Sequence, residues 1–540
     1  MARHSRKKAA RAARPQSASP LKRLESAVKK HRKHIYAASM LVNLLLCLAL
    51  FDPKPHTGGD NATYIILAES ILRSGDGYSD TITPGEPKPH TQYPFGYPLL
   101  LAPLVALVGR NLVLLKLFSV LLAVASVALF SRLVERLAPP LAWAGLSLAA
   151  ASNPVIVDYS HWILSEMSFL FFSLLALYFL IAWDEEEKSR FGKKFWFAVL
   201  AMAFTVHIRS AGLAFPIAGF AYFALRRRWR TLAVFTLSLV LLLSPWMIRN
   251  RLVREPGVGY MSALFMKNPY TPEQGAAGVA DLAARFVTNV RIYSGTELAR
   301  VLLGSEGVGQ ESRAVKMVSV AAALLVLIGL IGHLARTFRI LEIYMLVFLG
   351  MVLIWPEAWS DVRFLMPVVP LIIFYLAEGA ALAGRRIWPE IYRNGAAAAA
   401  AACVIALLGL GAQALRVPDN LDMVGRYLRG DRYAGYPSNW RNFFEAADWV
   451  RQNTPETSVV TVRKPTLFYL HTGRKIEVYP FTTNTDSVLS RITATDYVIV
   501  DAVSGTTYRY LVPAIQKAPE RFKLVFQKKE PFTGVLEVVR

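Results

Sequence analysis

The chain is poor in cysteine: Cys47 and Cys403 are the only two in 540 residues, and both fall in apolar runs. That excludes a disulfide framework and a cysteine-built metal site. Residues 419–540 contain no Gly-x-Gly-x-x-Gly and no P-loop, so no nucleotide is assigned to them. Acidic residues are also few, 38 Asp and Glu against 61 Lys and Arg, for a formal charge of +23. The shortage is greatest at the start, where the first 34 residues carry twelve Lys/Arg and one acid, Glu25. Such a tail suits a nucleic-acid arm. Here it directly precedes an apolar run, so membrane topology and attraction to anionic lipid explain it more simply. That first run lacks an Ala-x-Ala-like exit and reads as a retained anchor rather than a cleaved signal. No internal repeat is visible, which weighs against the paired inverted halves of many transporters.

What the chain has in quantity is apolar sequence, 54% of all residues. Several runs are long enough to cross a hydrocarbon core of roughly 30 Å. They lie at 35–51, 111–130, 139–157, 167–183, 195–208, 211–225, 231–248, 314–334, 340–355, 363–383 and 396–412. With repeatedly basic short loops on one side, they predict a polytopic α-helical membrane protein of about eleven spans, its N-terminus cytoplasmic. Residues 96–109 are apolar but short, and read as a re-entrant or interfacial segment. The expected organisation is a basic tail (1–34), a membrane domain (35–418) with outer loops at 52–98 and 249–313, and an extracytoplasmic α/β domain (419–540). In the last, strand-like runs at 458–462, 476–479, 497–500, 523–526 and 535–539 alternate with helical pieces.

The loop 52–98 is the organising stretch. Gly58-Gly59-Asp60 opens a helix with apolar residues at Tyr64, Leu67, Ala68, Ile71 and Leu72, one helical face. Gly75-Asp76-Gly77 stops it. The helix is expected along the membrane interface, apolar side down, with Asp60 at the surface. Ionisable groups near that face are the functional candidates, because charge there is costly without a purpose or a partner. They are Asp60 and Glu69 in the first loop, Asp158, His161 and Glu166 in the next, Lys116 inside the second span, and Arg209 and Arg363 at span ends. Two carboxylates among cations suit a transfer with an anionic leaving group: one removes a proton, the cations receive the departing phosphate.

Plainer readings stand beside these. Asp60 is also a good helix cap, and Ser165 can cap the next span while Glu166 favours its dipole. Arg363 can snorkel. His56 and His90, in two copies of Lys-Pro-His-Thr, could bind metal, and a divalent cation stays open. Asn61-Ala62-Thr63 is a glycosylation sequon.

In order and spacing, residues 35–385 resemble the GT-C glycosyltransferases, in the branch holding lipid A aminoarabinose transferases, protein O-mannosyltransferases and related bacterial sugar transferases. The resemblance rests on Gly59-Asp60-x-x-x-Tyr64-x-x-Leu67-Ala68 with Gly75-x-Gly77-Tyr78, and on Tyr93-Pro94-Phe95-Gly96-Tyr97-Pro98-Leu99-Leu100. Ser165-Glu166 and Arg363-Phe364-Leu365-Met366-Pro367 complete it. It implies an inverting enzyme of a bacterial cell membrane that moves a sugar from a polyprenyl-phosphate donor to a glycan, lipid or protein acceptor, without nucleic acid. Asp60 takes the place of the catalytic acid and Glu166 (less well Asp158) that of a second one. Lys116, Arg209 and Arg363 take the donor phosphate, with His161, Tyr64, Tyr93 and Tyr97 lining the substrate site. Gln92 replaces a cation that some members carry in this loop. Two rivals are a transporter or flippase of lipid-linked sugars and a non-catalytic scaffold with a ligand-binding outer domain.

Overall fold

Continuous apolar sequence folds into helix because a backbone in lipid must satisfy its own hydrogen bonds. The computed structural model describes residues 20–540 apart from 74, 76, 187–190, 254–263, 305–311 and 386–394. The tail before residue 20 and Asp76 of the helix stop thus lie outside the described residues. All eleven apolar runs are helical. Among the described residues, six helices are long and apolar enough to span: Leu112–Leu137, Ser165–Glu186, Trp229–Val253, Arg313–Arg336, Met366–Gly384 and Ala396–Leu428. A seventh is a pair, Pro140–Ala151 and Pro154–Ser160, bent by 43°. Asn153 makes the break by capping the second piece, accepting from Val155 N and Ile156 N at 3.1 and 3.2 Å. The helices Arg32–Ala49, Lys193–Ile208, Ala214–Leu225 and Ile340–Leu353 are shorter or more polar. The chain is a polytopic helical membrane protein; the expected figure of about eleven spans exceeds what length and composition certify. The segment at 96–109 is a helix, Gly96–Val108.

At one end of the bundle sits a five-stranded mixed sheet whose strands fall on the five strand-like runs. Its members are β3 (Val459–Thr461), β4 (Lys475–Glu477), β5 (Tyr497–Val500), β6 (Phe522–Lys528) and β7 (Thr533–Val538), in the order β4-β3-β5-β7-β6. β3 runs parallel to β4 and β5, whereas β7 is antiparallel to β5 and β6. The first loop carries a small ribbon of its own, β1 (Ser79–Asp80) with β2 (Lys88–Pro89). It also meets the sheet through its backbone, Ile476 N donating to Ile82 O at 2.8 Å.

The loop helix, Gly59–Leu72, corrects one expectation. It does not lie on the lipid surface, because Asn61–Ala68 are all buried within the protein. Tyr64, Ile65 and Ala68 belong to the core of the bundle, whereas Ala62 and Ile66 belong to the core of the sheet with Phe443 and Phe468. The run Ala62-Thr63-Tyr64-Ile65-Ile66-Leu67-Ala68 is apolar on every side, which marks a buried helix and not an interfacial one. The sequon fails for the same reason: Asn61 is 2% exposed.

Candidate active site

Asp60 sits in the first turn of the loop helix but caps nothing. Its Oδ1 accepts from the Tyr93 hydroxyl at 3.0 Å and its Oδ2 from Arg363 Nη2 at 2.8 Å. Arg363 Nε binds Glu166 Oε1, so one guanidinium spans both carboxylates. Arg209 Nη1 reaches the same Glu166 oxygen at 2.5 Å. Four residues from four distant stretches thus form a line, Asp60–Arg363–Glu166–Arg209, with two negative and two positive charges. Arginine suits the bridging place because its planar fork presents several donors at once. Burial alone would push the Asp60 carboxyl up. The charge and hydrogen bond of Arg363, the Tyr93 hydroxyl and the charge of Arg209 outweigh it and hold the group below the usual carboxylate range.

The supports of this line come from the loop. His90 accepts from Tyr93 N at 2.9 Å through Nε2, so its Nδ1 carries the proton toward Asp80 Oδ2 at 2.7 Å. Both ring nitrogens are therefore used in placing Tyr93. His56 accepts from Gly58 N at 3.0 Å and packs on Trp162, with ring centroids 3.5 Å apart. Burial and the charges of Lys116 and Arg363 push it down to about 3, so it stays neutral. The two histidines do not converge as metal ligands, and no cluster of three His, Cys, Asp or Glu exists among the described residues. Asp361 turns the chain under Arg363 by accepting from Arg363 N at 2.7 Å.

The other candidates fall in different places. Lys116 is 2% exposed, and its ammonium donates to the carbonyls of Asp52 (2.6 Å) and Lys54. It fastens the start of the first loop instead of facing a donor phosphate, because a buried ammonium must find acceptors. Asp158 pairs with Arg416 at 2.6 Å, away from Asp60, which leaves Glu166 as the second acid of the line. Glu69 pairs with Arg110. His161 is buried, with Nδ1 unpartnered, beside Phe51. Tyr97 is fully enclosed; its ring supports Tyr64 edge-on at 4.8 Å and cannot line an open site. Tyr64 is near the line, its hydroxyl 3.0 Å from Ser165 Oγ, which also accepts from Arg209 Nη1 at 3.1 Å. Ser165 therefore joins Tyr64 to Arg209 and was legible only as a cap. Asp361, His90 as a support for Tyr93, and Arg416 were not legible in a sequence that shows no partners.

No sequence-family model and no characterised protein matches the chain by sequence. Solved structures do match its shape. A crystal structure of the oligosaccharyltransferase from Archaeoglobus fulgidus, tethered to an acceptor peptide containing the NVT sequon, aligns with a TM-score of 0.56 at 13% identity. The match covers 95% of this chain and 75% of that one. ArnT from Cupriavidus metallidurans aligns in its apo state at 0.55 and 14% identity, over 94% and 98% of the two chains. Bound to undecaprenyl phosphate, it aligns at 0.52 and 14%, over 93% and 97%. These are GT-C enzymes. With its first-loop carboxylate, its bundle and its added sheet, this chain has the GT-C fold.

Proposed function

We propose that the protein is a membrane glycosyltransferase that moves a sugar, with inversion, from a polyprenyl-phosphate donor to an acceptor hydroxyl. The observation that carries this reading is the single guanidinium of Arg363 held between Asp60 and Glu166. Asp60 takes the acceptor proton as that oxygen attacks the anomeric carbon. The bond to the lipid phosphate breaks, and the phosphate leaves toward Arg363 and Arg209. As the phosphate draws Arg363 toward itself, Asp60 loses its main counter-charge and becomes a stronger base. Glu166 keeps both arginines in place and Tyr93 aims the Asp60 carboxylate. On the predicted topology this face is extracytoplasmic. Undecaprenyl phosphate bound to the similar ArnT is consistent with the donor class. The two arginines already balance the two carboxylates, so a chelator is expected to leave turnover unchanged.

The test is transfer from a radiolabelled polyprenyl-phosphate sugar by purified protein. Asp60→Asn should lower turnover by about 10²–10⁴-fold, the usual share of a positioned base, while donor binding persists. Near-normal transfer by that variant removes Asp60 from the role.

A further inference from the structure

An open cavity of about 730 Å³ lies between the sheet unit and the outer segment around Tyr270. That volume lies in the range of small-molecule sites. Arg463, Lys464, Ser504, Thr506, Arg509 and Tyr270 are among its lining residues, and no carboxylate is. Arg509 is clasped to Glu273 of the outer segment, which closes one wall. Arg463 Nε donates to Thr506 Oγ1 at 2.6 Å and its guanidinium lies over Phe481. Lys464 lies over Trp440, 5.6 Å from the ring centroid. Among the described residues neither cation has an acidic partner within ion-pair distance. Asp501, behind the wall, is turned instead onto Val503 N and Thr507 Oγ1.

Two neighbouring cations repel, and although the charges of Asp60 and Asp501 reach Lys464, neither is seated on it, so an anion bridging Arg463 and Lys464 would be favoured. The cavity also abuts the line of charges. Thr466, two residues past Lys464, donates to Gly59 O at 3.0 Å, just before Asp60, and the charge of Asp60 is felt at the Lys464 ammonium. The remaining walls offer hydroxyls and the aromatic rings of Tyr270 and Tyr508, groups that suit a sugar. Resting on the transfer reading above, we infer that this cavity holds the acceptor, a saccharide bearing a phosphate or carboxylate that seats on Arg463 and Lys464 beside Asp60.

The experiment is saturation-transfer NMR on the full-length protein in detergent, with D-glucose 6-phosphate, D-glucuronate and D-glucose as probes. At least one charged sugar should bind about tenfold more tightly than glucose, the discrimination given by charged hydrogen bonds. Whichever does so names the anionic group. Lys464→Met and Arg463→Met should each erase that preference, and Lys464→Arg should restore it. Equal binding of charged and neutral sugars, or an unchanged preference in both Met variants, overturns the site. Anion preference in a protein without transferase activity instead overturns the transfer reading, and with it the acceptor role, and leaves only an anionic-saccharide site on Arg463 and Lys464.

Discussion

At the scale of single residues, Arg363 has the largest consequences. Arg363→Met leaves the Glu166 carboxylate buried with Arg209 alone and strips Asp60 of its cation. Removing one partner from a buried pair costs about 3–5 kcal/mol, so a clear drop in melting temperature is expected along with lost turnover. Arg363→Lys should not restore activity, since a point charge cannot span two carboxylates. The sign of the pH effect follows from the same contacts. A depressed Asp60 stays ionised until pH falls below the ordinary carboxylate range, so its contribution to stability is present above that range and lost beneath it. The acid limb of kcat/KM in the wild type should lie there too. In an Arg363 variant with residual activity it should move up, because burial is then opposed only by the Tyr93 hydroxyl and the charge of Arg209. A limb that stays put separates Asp60 from the titration. Lys116→Met leaves two carbonyls without their donor, at about 1–3 kcal/mol. It should lower thermal stability with donor KM little changed. Asp60, Glu166, Arg209 and Arg363 could be picked from sequence because charge beside long apolar runs stands out. Lys116 stands out equally, but its seat on the carbonyls of Asp52 and Lys54 is not legible, because backbone partners carry no letter in a sequence.

At the scale of the element, the helix Gly59–Leu72 shows where periodicity stops being informative. Apolar positions at Tyr64, Leu67, Ala68, Ile71 and Leu72 trace one face, and a reading by period selects it. Ala62, Ile65 and Ile66 fill other faces, and what covers two of them, Phe443 and Phe468, lies near the far end of the chain. Sequence distance hides such a partner. Ile66→Ala should cost about 2–5 kcal/mol, as other truncations of enclosed isoleucines do. The loss should be seen equally by a probe in the bundle and one in the sheet. A transition confined to one of the two would show that the helix does not couple them. The strands were easier to find, because short β-branched runs between turns are local signals.

At the scale of the whole molecule, the helix Ser165–Glu186 carries Glu166 of the charge line at its first turn and a second set of ion pairs at its last. Arg136 and Arg339 pair with Glu185, and Arg228 with Asp184, at that last turn. With basic loops cytoplasmic, a cysteine placed at exposed Asn484 should react with an impermeant maleimide added to intact cells or right-side-out vesicles. One placed at exposed Arg23 should react only after permeabilisation. The reverse pattern would turn the site toward the cytoplasm and end the reading of the first loop as the working face.

The two cores that meet on residues 59–72 also set an order of events during synthesis. The ribosome delivers this helix early, and the helices that cover Ala62 and Ile66, Ser438–Asn453 and Pro465–Thr472, come hundreds of residues later. Until those helices have folded onto it, the apolar strip of Ala62 and Ile66 stays bare, and Asp60 stands on unfinished ground. The charge line can therefore reach its finished geometry only after residues 438–472 have been made and folded, so a chain cut before Ser438 should insert and yet be inert.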